Sequence, residues 1–256
     1  MKAHLYSAQI SQLTYLTRDI VLVAFQPNVR FKFIAGQFFS LLVPGTEVYR
    51  LYSLASPPNV LGNEPYEILV RLVPDGQASE YLRSLKAGDR IQFRAAYGEF
   101  HLPAPHDRNL FFLSTGTGIG VLRSILASAQ IQSFSGSRFG LFGFRSSEEE
   151  VFRDTFASIP GLHYRYCLTQ VKGPLRSDQY QGRVSEFLRA MPEEFPWRNT
   201  DYYLCGNGEM IETITSHLTL SRGVSAVNIF AEAFSPSNRR KGVREIKEIF
   251  AKPKAA

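Results

Sequence analysis

The stretch Tyr49-Arg50-Leu51-Tyr52-Ser53-Leu54-Ala55-Ser56 sets a guanidinium, a phenol ring and a hydroxyl within four consecutive residues. In an extended strand successive side chains alternate between faces, so Arg50, Tyr52 and, past any bend, Leu54 share one side while Ser53 takes the other. A guanidinium pairs with phosphate, an aromatic ring packs on a flat heterocycle and a hydroxyl reaches a ring nitrogen. Together they suit a phosphate-bearing aromatic cofactor, provided that other residues complete the site; alone they make an ordinary strand.

Two glycine turns supply candidates for the phosphates. Ser114-Thr115-Gly116-Thr117-Gly118-Ile119-Gly120 follows the apolar run Leu110 to Leu113 and opens a helical pattern. Glycine lets the backbone turn sharply and approach a ligand closely, and a helix N-terminus offers free amides and a partial positive charge to a pyrophosphate. Asp75-Gly76-Gln77-Ala78-Ser79 opens a second helical pattern. Most such turns bind nothing, and this one gains weight from Arg50, which can share its phosphate. Tyr97-Gly98-Glu99-Phe100 reads equally as another aromatic near the flat ligand or as an edge turn.

The elements that carry these residues fall into two kinds. Short strand patterns run from residue 5 to about 100: Ile20 to Phe25, Phe38 to Val43, the Tyr49 stretch, Tyr66 to Val73 and Asp89 to Arg94. One helix interrupts them at Ser79 to Leu85, with Ser79 as its expected N-cap. This spacing predicts a compact antiparallel β-barrel over residues 1–103. His101 to Asp107 bears prolines and reads as a linker. From 108 to 256 strands at Leu110–Leu113, Phe139–Phe144, His163–Leu168, Tyr202–Cys205 and Val227–Ala231 alternate with helices at Ile119–Gln130, Glu148–Phe156, Val184–Ala190 and Glu209–Leu220. That alternation predicts an α/β domain with a parallel sheet covered on both faces.

At 256 residues the chain suits two modest domains, taking roughly 150 residues for each. Its two cysteines, Cys167 and Cys205, are too few for a disulfide framework or a thiolate-held iron–sulfur cluster, so redox chemistry would need another cofactor. No apolar run approaches the roughly 20 residues of a membrane span, and no signal-peptide core follows Met1, so a cytoplasmic location is expected. The net charge of +6 suits an acidic partner or a solvated surface. Nucleic acid is disfavoured, because only Asn238-Arg239-Arg240-Lys241 clusters basic residues. No set of metal ligands stands out.

In order and spacing, four motifs resemble those of the ferredoxin–NADP reductase family of flavoenzymes, over almost the full chain. Arg50-Leu51-Tyr52-Ser53 resembles the flavin motif, Gly76-Gln77-Ala78-Ser79 the flavin-phosphate motif, Thr115-Gly116-Thr117-Gly118-Ile119 the nicotinamide-nucleotide loop, and Leu204-Cys205-Gly206-Asn207-Gly208-Glu209-Met210 the second nucleotide motif. The resemblance implies an FAD-binding barrel followed by a nucleotide-binding domain. It implies that Arg50 binds the flavin diphosphate, Tyr52 packs on the isoalloxazine, Ser53 lies near its N5, and Cys205 lies beside the nicotinamide. Glu232 resembles the acidic residue that ends the family's last strand, and Phe234 the aromatic after it; without the pattern, Cys205 is a small buried hydrophobe and Glu232 a surface carboxylate.

Arg145-Ser146-Ser147, after the strand ending at Phe144, sets a cation and hydroxyls where an NAD site more often has a carboxylate, which favours NADPH. Arg183 matches a family arginine that reaches the 2′-phosphate, whereas Thr169-Gln170 replaces the arginine and glutamate of many NADP-using relatives. About twenty residues follow Phe234, with a helical pattern at Val243 to Phe250, and resemble a bacterial tail that folds over the flavin. The resemblance thus implies transfer of a hydride from NADPH to FAD, then of single electrons to a ferredoxin or flavodoxin. Two alternatives stand beside it: an NADH-dependent flavin reductase or oxygenase reductase component, and a non-catalytic flavin-binding electron-transfer subunit.

Overall fold

The computed structural model describes residues 5–58 and 64–234. The tail helix expected at Val243 to Phe250 and the basic cluster at 238–241 lie outside them.

Six strands of the first half form one antiparallel sheet: β1 (Leu5–Tyr15), β2 (Ile20–Pro27), β3 (Phe38–Leu42), β4 (Tyr49–Ser53), β5 (Tyr66–Arg71) and β6 (Arg90–Tyr97). Their order, β4-β3-β6-β1-β2-β5, leaves β4 and β5 at the edges, and a bridge between Leu54 and Ile68 draws those edges together. The expected barrel is therefore a sheet curled until its edges meet. Alternation drives the curl: Ala8, Ile10, Val21, Val23, Phe25, Phe39, Leu41, Ile68, Val70 and Phe93 pack inward as one apolar cluster. In β4, Tyr52 pairs with Phe39 and Arg50 with Leu41, so these two point to the face that Phe39 and Leu41 take, while Leu51 is 63% exposed.

Helix α1 (Gln77–Ser84) begins two residues before the expected start, with Gly76 at its N-cap. Ser79 does not cap it: its hydroxyl accepts a hydrogen bond from the Val73 N–H at 3.0 Å and closes the turn that precedes the helix. Serine serves both kinds of turn, and sequence distance alone does not choose between them.

The second half contains β7 (Asn109–Thr115), α2 (Gly118–Leu126), β8 (Arg138–Phe144), α3 (Arg153–Ala157), β9 (Leu162–Leu168), β10 (Gln179–Gln181), α4 (Val184–Ala190), β11 (Thr200–Gly206), α5 (Gly208–Ser216) and β12 (Ile229–Ala233). The strands form one parallel sheet in the order β10-β9-β8-β7-β11-β12. The helix expected from Glu148 to Phe156 is instead a 3-10 turn, Ser147–Glu149, followed by the short α3, because Phe152 takes φ +61° between them. A left-handed aromatic residue cannot continue a helix.

Both faces of the parallel sheet are covered. One packs Leu113, Leu141, Leu204 and Cys167 with Val184 and Leu188 of α4 and Ile211 and Ile214 of α5. The other packs Leu110, Phe112, Phe142, Tyr203 and Cys205 with α2, and the same cluster continues into Ala35, Ala55, Leu69, Phe100 and Leu102 of the first half. A continuous apolar interior thus joins the two sheets. Phe100 and Leu102, at the expected linker, are anchors in it. Polar ties reinforce it: Arg123 Nη1 meets Glu67 Oε2 at 2.6 Å, and Ser124 Oγ donates to the Ser56 carbonyl at 2.6 Å.

Among the described residues no helix is long and apolar enough to cross a membrane.

Candidate active site

Strand order predicts where a ligand sits. From β7 the chain winds outward through β8, β9 and β10, and then returns to add β11 and β12 on the other side. Ligands of open α/β sheets bind beyond the carboxyl ends of strands at such a switch point, because the two connecting loops there diverge and leave a crevice. The ends concerned are Thr115 of β7 and Gly206 of β11. They are tied together: the Asn207 N–H donates to Thr115 Oγ1 at 3.0 Å. Gly206 has φ +137°, and a Cβ there would lie 2.5 Å from Thr115 Oγ1 and 2.7 Å from the Thr115 carbonyl oxygen. Only glycine permits this approach.

A cleft of about 500 Å³ opens at this point, lined by Thr115, Gly116, Arg145, Arg183 and Met210 among others. Arg71, from β5 in the first half, also lines it, as do Glu149 and Glu209. Thr117 and Ser146 are half-buried beside the cleft without lining it, and Gly118, Cys205 and Gly206 are buried beneath. A larger apolar groove, about 630 Å³, opens at the amino-terminal ends of β7, β8 and β9, away from the glycine loops.

Cross-strand register assembles a second group on the face toward the first half. Cys205 stands opposite Ser114 on β7 and Glu232 on β12. From the first half, Ser53 Oγ donates to Glu232 Oε1 at 3.0 Å, joining residues 179 positions apart. The Phe234 N–H donates to the Gly206 carbonyl at 2.7 Å and sets the strand end. Burial pushes the Glu232 carboxyl up to about 7, against the opposing pull of the Ser53 hydroxyl. Burial also raises the Cys205 thiol, with the Glu232 charge adding to it, so the thiol stays protonated. Tyr52 is pushed up to about 12 by burial, with Arg50 opposing.

The donor set fits a dinucleotide flavin and a nicotinamide nucleotide. Neither α1 nor α2 has a side chain capping its N-terminus. The Gln77, Ala78 and Ser79 amides of α1 and the Gly118 amide of α2 are open to an anion, whereas the Ile119 and Gly120 N–H groups donate to the Gly116 and Thr117 carbonyls. By contrast α5 is capped by Asn207, whose side chain accepts from the Glu209 N–H at 2.8 Å. Arg50 makes no ion pair among the described residues and reaches only the Tyr49 carbonyl, at 3.0 Å. A half-buried, unpaired guanidinium suits a phosphate. Among the described residues no group of three or more His, Cys, Asp or Glu could hold a metal ion.

Residues 7–102 match the oxidoreductase FAD-binding domain, and residues 112–216 match the oxidoreductase NAD-binding domain. The chain belongs to the ferredoxin reductase-like family. It is 26% identical over 239 residues to the toluate 1,2-dioxygenase electron transfer component of Pseudomonas putida, covering 91% of this chain and 68% of that protein. It is 27% identical over 212 residues to ferredoxin–NADP reductase B of Sorangium cellulosum, covering 80% of this chain and 86% of that one. Its fold matches the ferredoxin NADP+ reductase of Neisseria gonorrhoeae solved with FAD and NADP: TM-score 0.76, 24% identity, 91% of this chain and 99% of that one. Across such curated relatives the chain spans between 48% and 86% of their length. Family membership makes it an electron-transferring oxidoreductase with FAD-binding and NAD(P)-binding domains.

Sequence reasoning missed Arg71 as a residue that lines the cleft. Arg71 belongs to a strand of the other half, and only its position opposite the nucleotide loops marks it. Ser114, the first residue of the glycine turn, faces the interior: it is 1% exposed, and its hydroxyl has no hydrogen-bond partner among the described residues.

Glu232 carries a pH prediction for this family member. The folded chain keeps its proton between pH 4.5 and about 7, where the unfolded chain has lost it. The carboxyl's contribution to stability therefore falls as pH rises through that window, by on the order of 3 kcal/mol in all. Glu232→Gln removes the effect. Urea unfolding at pH 5 and pH 8 should show the variant gaining on the natural protein at the higher pH; a gain confined to the lower pH would refute the assignment.

Proposed function

We propose that the chain moves electrons from NADPH through bound FAD to a one-electron carrier, a ferredoxin or flavodoxin. Bound FAD supplies the chemistry by taking two electrons from a nicotinamide and releasing them singly. Arg50 and the free amides of α1, from Gly76, Gln77, Ala78 and Ser79, bind its diphosphate. The backbone at Leu51 holds the strand edge, Tyr52 packs on the flavin ring, Ser53 donates toward its reactive nitrogen when Glu232 is protonated and donates to the Ser53 oxygen in turn, and Phe234 contributes to the flavin site. Glu232, poised to gain or lose a proton near neutrality, shares that proton with Ser53. Thr115, Gly116, Thr117 and Gly118 cradle the nucleotide diphosphate, Gly206 and Met210 border the nicotinamide end, and Cys205 supports it from below. On this reading, residues 1–103 are the flavin half and 108–256 the nucleotide half.

The observation that carries the NADPH choice is the charge at the end of β8. Arg145 follows Phe144 where a ribose-binding carboxylate would favour NADH, and Arg183 lines the same cleft. Arg183 is held at the start of α4, where its N–H donates to Glu186 Oε2 at 2.7 Å. Anaerobic stopped-flow reduction of the flavin is expected to favour NADPH over NADH by at least about tenfold in kcat/KM, since a charge-paired phosphate contributes on the order of 1.5–3 kcal/mol. A preference for NADH would overturn the choice.

A second reading rests on Thr169, which lines the cleft without bringing a cation. It makes the chain an NADH-dependent reductase component of an oxygenase, in line with what the Pseudomonas relative's name says of that protein. The same measurement separates the two. Bleaching of the flavin band by either nucleotide alone excludes a non-catalytic subunit. The net charge of +6 fits an acidic carrier, and association with ferredoxin should slow as ionic strength rises.

A further inference from the structure

Arg71 and Glu149 meet at the mouth of the nucleotide cleft from opposite halves of the molecule. The two nitrogens of the Arg71 guanidinium are held unequally: Nη1 meets Asp19 Oδ2 at 2.7 Å, while Nη2 meets Glu149 Oε2 at 3.5 Å. Asp19 is itself fixed, since Oδ1 accepts from Thr17 Oγ1 at 3.1 Å. One nitrogen is therefore anchored and the other is loosely held, beyond hydrogen-bond length, at the edge of a cleft built for phosphates. Both residues line that cleft.

Glu149 is held there by its surroundings. Its N–H donates to the Ser146 carbonyl at 3.1 Å. The next residue, Glu150, is turned away and paired with Arg176 and with the Gln179 side chain. Three residues on, the Phe152 ring lies under the Arg123 guanidinium, 4.6 Å from its centre, and Arg123 pairs with Glu67 of the first half. The backbone at Glu149 is thus held at the rim of a cleft that Arg71, Arg145 and Arg183 also line, where the carboxylate offsets positive charge that a nucleotide needs.

We propose that Glu149 is a built-in anionic competitor: it occupies the free nitrogen of Arg71, and an incoming nucleotide phosphate displaces it. This rests on the reading of the cleft as the nucleotide site. Glu149 then sets affinity, keeping the nucleotide weak enough to leave after each turnover.

The test uses FAD-loaded protein and titrates it with NADP+ and with NAD+, following the perturbation of the flavin spectrum. Glu149→Gln keeps the shape and removes the charge; it should tighten binding about 3- to 10-fold, the range for losing one partly exposed competing ion pair and its repulsion of phosphate. Arg71→Gln should weaken binding about 10-fold or more, and in that background Glu149→Gln should add under about twofold, because the pair acts as a unit. Asp19→Asn, which frees the anchored nitrogen, should weaken binding while leaving the FAD spectrum of the free protein intact. Unchanged or weaker binding in Glu149→Gln overturns the proposal, as does a full gain that persists without Arg71. Natural protein that binds neither nucleotide overturns the cleft reading and the competitor with it; tight nucleotide binding that is indifferent to residue 149 overturns the competitor alone.

Discussion

Ser53→Ala is expected to slow reduction of the flavin by about 100-fold while FAD stays bound, the range for removing one preorganised hydrogen-bond donor from a reacting centre. The hydroxyl has a defined place: it donates to Glu232 across the boundary between the halves, at 3.0 Å. Arg50 and Tyr52, on the same strand, are untouched, so cofactor retention should not change. The substitution also removes the one influence that opposes burial at Glu232, so the carboxyl should rise above about 7. The pH midpoint of flavin reduction should therefore move upward together with the loss of rate. Stopped-flow reduction across pH 5.5 to 9 reads both. An unaltered rate would mean that the hydroxyl has another job, and a midpoint that fell would reverse the proposed coupling.

Gly118→Ala is the substitution with the largest expected structural cost. A Cβ at residue 118 would lie 2.4 Å from the Cys205 carbonyl oxygen and 2.7 Å from its carbon. Both are backbone atoms of β11, which is buried along its whole length, so neither can rotate away. Relief requires α2 to lift from the sheet end, and α2 carries the Gly120 contact with Leu69 and Ala55 of the first half. Overpacking of this kind costs about 1–3 kcal/mol, and displacing the helix N-terminus from the pyrophosphate should cost nucleotide affinity at least about tenfold. Gly116→Ala is the control: nothing lies within 4 Å of its Cβ, and only its φ of +57° is penalised, at about 1 kcal/mol. Thermal unfolding of both variants decides the matter, with nucleotide titration reading Gly118→Ala alone, and equal losses of stability would show that the contact with Cys205 is not what requires glycine at 118.

Buried side-chain identity explains why so much of this was legible. Local periodicity was sufficient to place the strands through Ile20, Phe38, Tyr66, Leu110, Phe139 and Tyr202, because each alternates or buries its apolar residues within a few positions. Local chemistry was sufficient for the two glycine turns, since a turn and the helix after it involve adjacent residues only. The errors fall where one residue has two local options. Ser79 can cap the helix or close the turn before it, and the Val73 N–H, brought near by the end of β5, settles which. Phe152 sits in a helical pattern, yet it adopts a left-handed conformation with its ring under Arg123, a contact that needs α2 in place.

The sequence by itself determined the two kinds of domain, the order of the four motifs and the residue types that suit flavin and nucleotide. Tertiary structure alone decided what those residues meet. Ser53 finds Glu232 across 179 positions, Arg71 reaches a cleft belonging to the other half, and Cys205 lies beside Glu232 only because β12 pairs in parallel with β11. The physical reason is range: backbone preference and side-chain alternation act over a few residues, whereas a carboxyl raised by burial, or a guanidinium shared between an aspartate and a cleft, exists only after distant segments have displaced water between them.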